Sequence, residues 1–223
     1  MKHKEKIEFI FNLYDEIETI SDSELNSKLI ILQSLVNDRS TEIRSWIGKI
    51  LINIPTKESQ DILFKYLDDK NELVRCEAVD SIRVFIDKEI FLKLKDMAIE
   101  DRSFLVRGYA VYGFVEIGKK LGEKNLDKFI LENIIPNENN SFVKLNCYEA
   151  LYNLGNKNFL NNIFSLFRSK NYRIRCAIIS TLDEILNDEN RSMIKEFIDS
   201  INISEEPFSV ESSIIKLSKR LEL

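Results

Sequence analysis

The sequence contains few of the residues that build tight turns, with only 6 glycines and 3 prolines in 223 residues. Sandwiches and barrels need such turns at short intervals, so this scarcity argues against them and favours a mostly helical chain. Hydrophobic residues make up 44% of the chain, which is enough for a packed core and excludes a disordered protein.

Residues that usually carry catalysis or bind metals are also scarce. The one histidine, His3, excludes a serine or cysteine nucleophile paired with a buried histidine and any multi-histidine metal site. Three cysteines, Cys76, Cys147 and Cys176, lie in separate predicted helices without zinc-site spacing, and reduced packing thiols fit the cytosol. No GxxxxGK[ST] or GxGxxG sequence occurs. We expect no metal and no cofactor, and paired carboxylates are the one catalytic arrangement left open.

Long apolar runs and excess positive charge are missing as well. No stretch approaches the roughly 20 apolar residues of a membrane span. The apolar residues of the opening segment are interrupted by Glu8 and Asn12, which is typical of an amphipathic helix and not of a signal peptide. The net charge of −5 argues against a general nucleic-acid binder. We therefore expect a cytoplasmic protein that binds neither membranes nor nucleic acids.

One pattern recurs six times along the chain, at intervals of 31, 32, 37, 31 and 36 residues. A β-branched residue precedes each anchor position, and apolar residues follow three and ten positions later. This spacing forms one stripe of a helix with 3.6 residues per turn, so each unit has a helix with one buried face. A helical hairpin of this length cannot bury that apolar face alone, so neighbouring units must stack against one another. The anchors are Arg44, Arg75, Arg107, Lys144, Arg175 and Glu211.

A partner helix is predicted ahead of each anchor helix, and residues 5–20 are predicted to form an N-terminal capping helix. The predicted partner helices are 27–36, 57–67, 88–99, 124–134, 158–167 and 191–201. Ser103, Ser141 and Asn171 are the expected N-caps of three anchor helices. The predicted organisation is a single repeat domain, 1–223, with a cap at 1–21 and repeats at approximately 22–55, 56–86, 87–121, 122–155, 156–187 and 188–223.

The array resembles HEAT repeats, whose units pair an aspartate in the turn with an arginine early in the second helix. The pairs stand six residues apart in this sequence, and the resemblance covers roughly 22–221. It implies an all-α, right-handed α–α superhelix of about six hairpins plus the capping helix. It also implies a structural ladder in which each arginine reaches the turn of an adjacent unit, although a basic stripe for phosphates is the alternative interpretation. The ladder residues are Asp38, Arg44, Asp69, Arg75, Asp101, Arg107, Lys144 and Arg175; Glu138, Ser169, Glu205 and Glu211 depart from the pattern.

The resemblance implies that the second helices line a concave groove. On the anchor helices, the positions opposite the buried stripe are rich in acids and tyrosines. Two further aromatic residues, Trp46 and Tyr109, lie on the flank of this surface. Such a surface suits a basic protein segment, because tyrosine supplies contact area at low entropic cost and carboxylates pair with Lys or Arg. Simple solvation of the acids and packing of the aromatics between repeats are the alternatives. The predicted partner-binding residues are Trp46, Asp80, Tyr109, Tyr112, Glu116, Glu149, Tyr152, Asp183 and Glu184.

These residues predict a non-enzymatic binding module, namely a scaffold, an adaptor or an immunity-type inhibitor of a basic protein. The alternative resemblance is to HEAT-like alkylpurine DNA glycosylases. In that interpretation Tyr112 and Glu116, one helical turn apart, would be catalytic, because an aromatic ring near an acid holds a cationic base. A bilin-lyase-type repeat protein is a third possibility, for which no residue indicates a tetrapyrrole site.

Overall fold

The computed structural model describes residues 1–222, except for the side chain of Asp22. Across these residues every regular element is helical and none is a strand, so the predicted all-α class is confirmed. The helices form two compact units, Met1–Lys124 and Asn125–Leu223. The boundary between them falls near the start of the fourth predicted repeat.

The N-terminal unit is built from seven helices in two rows. Helices α1, α3, α5 and α7 pack side by side and are called the second-helix row below, while α2, α4 and α6 pack against them. A 3₁₀ turn, Leu51–Asn53, extends α3. The helices are α1 His3–Glu16, α2 Asp22–Leu35, α3 Thr41–Ile50, α4 Lys57–Tyr66, α5 Glu72–Ile82, α6 Lys88–Glu100 and α7 Phe104–Leu121.

The predicted apolar stripe forms the core of this unit. The residues one position before and three positions after each anchor are completely buried: Ile43, Ile47, Val74, Ala78, Val106 and Ala110. Side chains at the helix starts, such as Thr56 and Asn71, accept hydrogen bonds from backbone N–H groups of the first turn. Gly122, with φ of +72°, ends α7 in the left-handed conformation that favours glycine.

The C-terminal unit repeats the same arrangement with shorter partner helices. Helices α9, α11 and α13 pack in sequence, and α10 and α12 pack against them. The predicted helix 124–134 is interrupted, because α8 continues into a π-helical turn, Ile130–Ile134, and a 3₁₀ turn, Ile135–Asn137. Further 3₁₀ turns are Leu166–Arg168 and Ile203–Glu205. The helices are α8 Leu126–Phe129, α9 Ser141–Asn153, α10 Phe159–Ser165, α11 Tyr172–Ile185, α12 Arg191–Asp199 and α13 Phe208–Leu221.

The three expected N-caps differ in outcome. Asn171 caps α11, accepting a hydrogen bond from the backbone N–H of Arg173 at 3.0 Å. Ser141 is not the cap of α9: Asn140 is, because its side chain accepts from the N–H of Phe142 at 2.8 Å. Ser103 occupies the N-cap position of α7, but its buried hydroxyl has no hydrogen-bond partner among the described residues.

Candidate functional site

Buried arginines connect the turns of the N-terminal unit. Arg44 donates from Nε and Nη2 to the two carboxylate oxygens of Asp69, at 2.7 and 3.0 Å, and from Nη1 to the carbonyl of Asp38 at 2.7 Å. Arg75 repeats this geometry with Asp101, at 2.7 and 2.8 Å, and with the carbonyl of Asp69 at 2.8 Å. Each arginine therefore links its own turn to the next one, and its charge is neutralised by a carboxylate. These arginines do not present a free basic stripe.

Helix α1 closes this series of pairs at its N-terminal end. Lys6 lies three residues after the first residue of α1, as Arg44 does in α3, and it donates to the carboxylate of Asp38 at 2.5 Å. This hydrogen bond lowers the pKa of Asp38. At the other end of the unit, Arg107 donates to the carbonyl of Asp101 at 2.8 Å. The capping helix thus takes the place of a second helix and extends the second-helix row.

The later anchors are less regular, as their sequences are. Arg175 donates from Nε to Glu206 at 2.8 Å and from Nη1 to the carbonyl of Ser169 at 2.6 Å. The acid in this turn is therefore Glu206, one residue after the position that the repeat alignment gives, Glu205. The Lys144 side chain makes no hydrogen bond or ion pair with the described residues.

The predicted groove acids of the N-terminal unit are already paired within the chain. The guanidinium of Arg83 donates to Asp80 and to Glu116, both at 2.6 Å, and lies 4.8 Å from the ring centroid of Tyr112. Lys120 donates to the second oxygen of Glu116 at 2.8 Å. Burial would raise the pKa of Glu116, but the hydrogen bonds from the two cations hold it below its usual range. Arg83 thus fills the aromatic and acidic pocket that the glycosylase alternative requires.

In the C-terminal unit, the structure corrects two of the predicted groove residues. Glu149 and Tyr152 are buried, with 7% and 2% exposure, and so do not line an open surface. The loop before α12 and helix α11 cover this part of α9: Asn190 donates to the Tyr152 hydroxyl at 2.8 Å, and Thr181 donates to Glu149 at 3.5 Å. Burial, followed by the charge of Glu184, raises the pKa of Glu149 to about 7.

The other two predicted acids of this unit lie on α11. Asp183 accepts a hydrogen bond from Arg220 on α13 and lies 3.8 Å from the ammonium of Lys216. The basic residues of the last helix therefore neutralise this acid. Glu184 is exposed and forms no ion pair with the described residues.

An aromatic cluster lies at the N-terminal end of the second-helix row. The Trp46 ring lies 4.5 Å from the Phe11 ring and 6.3 Å from the Tyr14 ring, both edge to face. The ammonium of Lys49 lies 4.9 Å from the Trp46 ring centroid and 5.6 Å from that of Tyr14. Further along the row, Tyr109 is 41% exposed. Trp46 and Tyr109 thus combine packing with an accessible surface.

Beside this cluster, a groove runs between α3 and α5. Leu73 is 54% exposed on its wall. The Glu77 carboxylate is partly buried and makes no hydrogen bond or ion pair with the described residues, and the buried Ser45 hydroxyl has no partner among them. Burial raises the pKa of Glu77, and the charge of Lys49 opposes that shift. The groove is lined by Thr41, Glu42, Ser45, Trp46, Lys49, Leu73 and Glu77.

Glu77 and Leu73 are not among the partner-binding residues predicted from the sequence. Glu77 stands two positions after its anchor, as Trp46 and Tyr109 do, so the repeat alignment contained the signal. Among the described residues no group of three His, Cys, Asp or Glu side chains is placed to hold a metal. No described helix combines the length and the apolar character that crossing a bilayer requires.

Comparison with known proteins supports the resemblance to HEAT repeats for part of the chain. The family model for HEAT repeats matches residues 30–118, the stretch that contains the paired arginines Arg44 and Arg75. This match within the N-terminal unit supports the predicted resemblance to HEAT repeats. The X-ray structure of YibA from Escherichia coli superposes on it with a TM-score of 0.55 over 93% of this chain and 73% of YibA, at 17% sequence identity. That likeness shows the fold alone. The search of curated proteins finds no match.

Proposed function

We propose that this protein is a non-enzymatic interaction module, a scaffold, adaptor or immunity-type inhibitor, that binds a basic segment of a protein partner. The binding surface in this proposal is the second-helix row of the N-terminal unit. The supporting observation is the groove between α3 and α5, where the exposed Leu73 and the Trp46 ring flank the Glu77 carboxylate. This carboxylate forms no hydrogen bond or ion pair with the residues that the structure describes.

The chemistry of this surface suits a protein ligand. Aromatic side chains on packed helices lose little conformational freedom on binding, so their buried area contributes efficiently to affinity. A carboxylate that forms no ion pair with the described residues favours a segment that brings a cation. The acids that the sequence predicted for this role contribute less, because Asp80, Glu116 and Asp183 are neutralised by cations of the chain itself.

The glycosylase alternative receives no support from the geometry. A cationic base would have to displace Arg83 from the Tyr112 ring and from two carboxylates. We expect no base release from methylated DNA by the wild-type protein, and no difference after Glu116→Gln. Release that depends on Glu116 would refute the non-enzymatic proposal.

The test is site-specific capture of the partner in the native host. A photo-crosslinking amino acid replaces Tyr109, beside the groove, and the products are identified by mass spectrometry. A basic protein should be crosslinked, and Leu73→Glu in the same chain should abolish the product. The matched control is Ile30→Glu on α2, which changes a 70% exposed apolar residue in the other row and should leave capture intact.

Two outcomes would contradict the proposal. Loss of capture with Ile30→Glu but not with Leu73→Glu would place binding on the other row. Failure to crosslink any protein, with a folded protein in the host, would remove the proposed surface.

A further inference from the structure

We propose that the groove between α3 and α5 is a binding site for a single cationic side chain, whose charge pairs with Glu77 and whose stem lies against Trp46 and Leu73. This inference rests on the proposed function and specifies its ligand as an arginine or lysine side chain of the partner.

Two polar groups of the groove lack the partners, among the described residues, that comparable groups elsewhere in the unit have. Asp69 and Asp101 are similarly withdrawn from water, and each accepts two hydrogen bonds from an arginine. Within the part of the chain that the structure describes, Glu77 has no such donor, and the Ser45 hydroxyl has no hydrogen-bond partner. Partly buried polar groups without partners are costly, so a ligand that supplies N–H donors gains more here than at an already paired acid.

The aromatic wall of the groove already contacts one cation. Lys49 lies over the rings of Trp46 and Tyr14, where the negative ring faces attract its ammonium group. Because Lys49 forms no ion pair with Glu77, the carboxylate remains available to a second cation. Lys49 opposes that second cation by charge repulsion, and removing its charge should strengthen binding.

Other ligand classes fit the groove less well. A phosphate would place its negative charge against Glu77 and Glu42. A divalent metal would lack a third acidic, histidine or cysteine ligand among the described residues. A purely apolar side chain would contact Trp46 and Leu73 but would leave Glu77 desolvated without compensation. A cation on an aliphatic stem satisfies both parts of the groove.

The chain offers a direct probe, because Trp46 is its only tryptophan and lines the groove. The ligand is the peptide acetyl-Leu-Arg-Leu-amide, and its neutral control replaces arginine with citrulline, which keeps the shape and loses the charge. Binding is followed by the indole N–H signal of Trp46 in ¹⁵N–¹H correlation spectra. We expect saturable shifts with the arginine peptide and about tenfold weaker binding of the citrulline peptide.

Variants assign the effect to Glu77. Glu77→Gln should weaken the arginine peptide about tenfold and remove its advantage over citrulline, and Lys49→Gln should strengthen it about two- to threefold. Glu58→Gln on α4 makes the same charge change on the other row and should behave as the wild type. Equal binding of the two peptides, an unchanged affinity in Glu77→Gln, or no saturable shift with either peptide would overturn this inference. Partner capture that depends on Leu73 but not on Glu77 would overturn it while leaving the proposed function standing.

Discussion

The buried carboxyl group of Glu149 gives the most direct test of the C-terminal unit. Glu149 is 7% exposed, its one hydrogen bond comes from Thr181 at 3.5 Å, and its pKa is raised from 4.5 to about 7 by burial and then by Glu184. Folding therefore favours the protonated carboxyl group. The stability that this preference confers is fully present below about pH 4.5 and is lost as the pH rises through about 7.

The expected size follows from the two pKa values. Relative to a protein with Glu149 fully protonated, proton linkage lowers the unfolding free energy by about 0.8 kcal/mol at pH 5 and by about 3.4 kcal/mol at pH 8.5. The change between these two pH values is about 2.5 kcal/mol. Glu149→Gln keeps the shape of the side chain and an acceptor for Thr181, but it cannot ionise. The difference in unfolding free energy between variant and wild type should therefore grow, in favour of the variant, by about 2.5 kcal/mol from pH 5 to pH 8.5.

Urea unfolding followed by circular dichroism measures that difference, and Trp46 fluorescence reports separately on the N-terminal unit. Glu184→Gln removes the like charge and should reduce the pH dependence, while Glu189→Gln, an exposed acid of the same unit, should follow the wild type. A difference between Glu149→Gln and wild type that is constant from pH 5 to pH 8.5 would refute the argument. It would mean that water or a cation compensates the carboxylate in the folded protein.

Three further predictions concern other sites. Arg75→Met should lower the unfolding free energy by about 3 to 5 kcal/mol, because it leaves the largely buried side chain of Asp101 without its ion pair. Lys6→Ala, at a more exposed pair, should lower it by about 1 kcal/mol, and equal losses in urea unfolding would contradict this difference. Cys147 is completely buried, and burial raises the pKa of its thiol to about 12. It should therefore react with Ellman's reagent at about pH 8 only when the protein unfolds, and rapid labelling of the native protein would contradict this by showing that α9 opens. Because burial raises the pKa of Glu77, affinity for the arginine peptide should be full above that pKa and should decline below it as the carboxylate is protonated; the citrulline peptide should show no such decline in the same titration.

The helical architecture could be predicted because it depends on a local and repeated signal. A β-branched residue before each anchor and an apolar residue three positions later recur in phase, and Val74 and Ala78 are among the completely buried examples. Helix boundaries were harder to predict, since neighbouring residues can both serve as the N-cap. Asn140 and Ser141 are both good N-cap residues, and the chain uses the first. The π-helical turn at Ile130–Ile134 was not predicted, because the spacing of apolar residues does not distinguish it from an α-helix.

The candidate surface could be predicted less well, because the charge of a helix face depends on which side chains meet across helices. Glu116 and Asp183 look like free acids in the sequence, yet each accepts a hydrogen bond from an arginine outside its own helix, Arg83 and Arg220, at separations of 33 and 37 residues. Glu77 shows the reverse case, since a lysine lies nearby but contacts aromatic rings instead. A repeat array fixes where side chains project, but pairing between units decides which charges remain available to a partner. We therefore base the proposed binding surface on a carboxylate that forms no ion pair with the described residues, and not on the number of acids on a helix face.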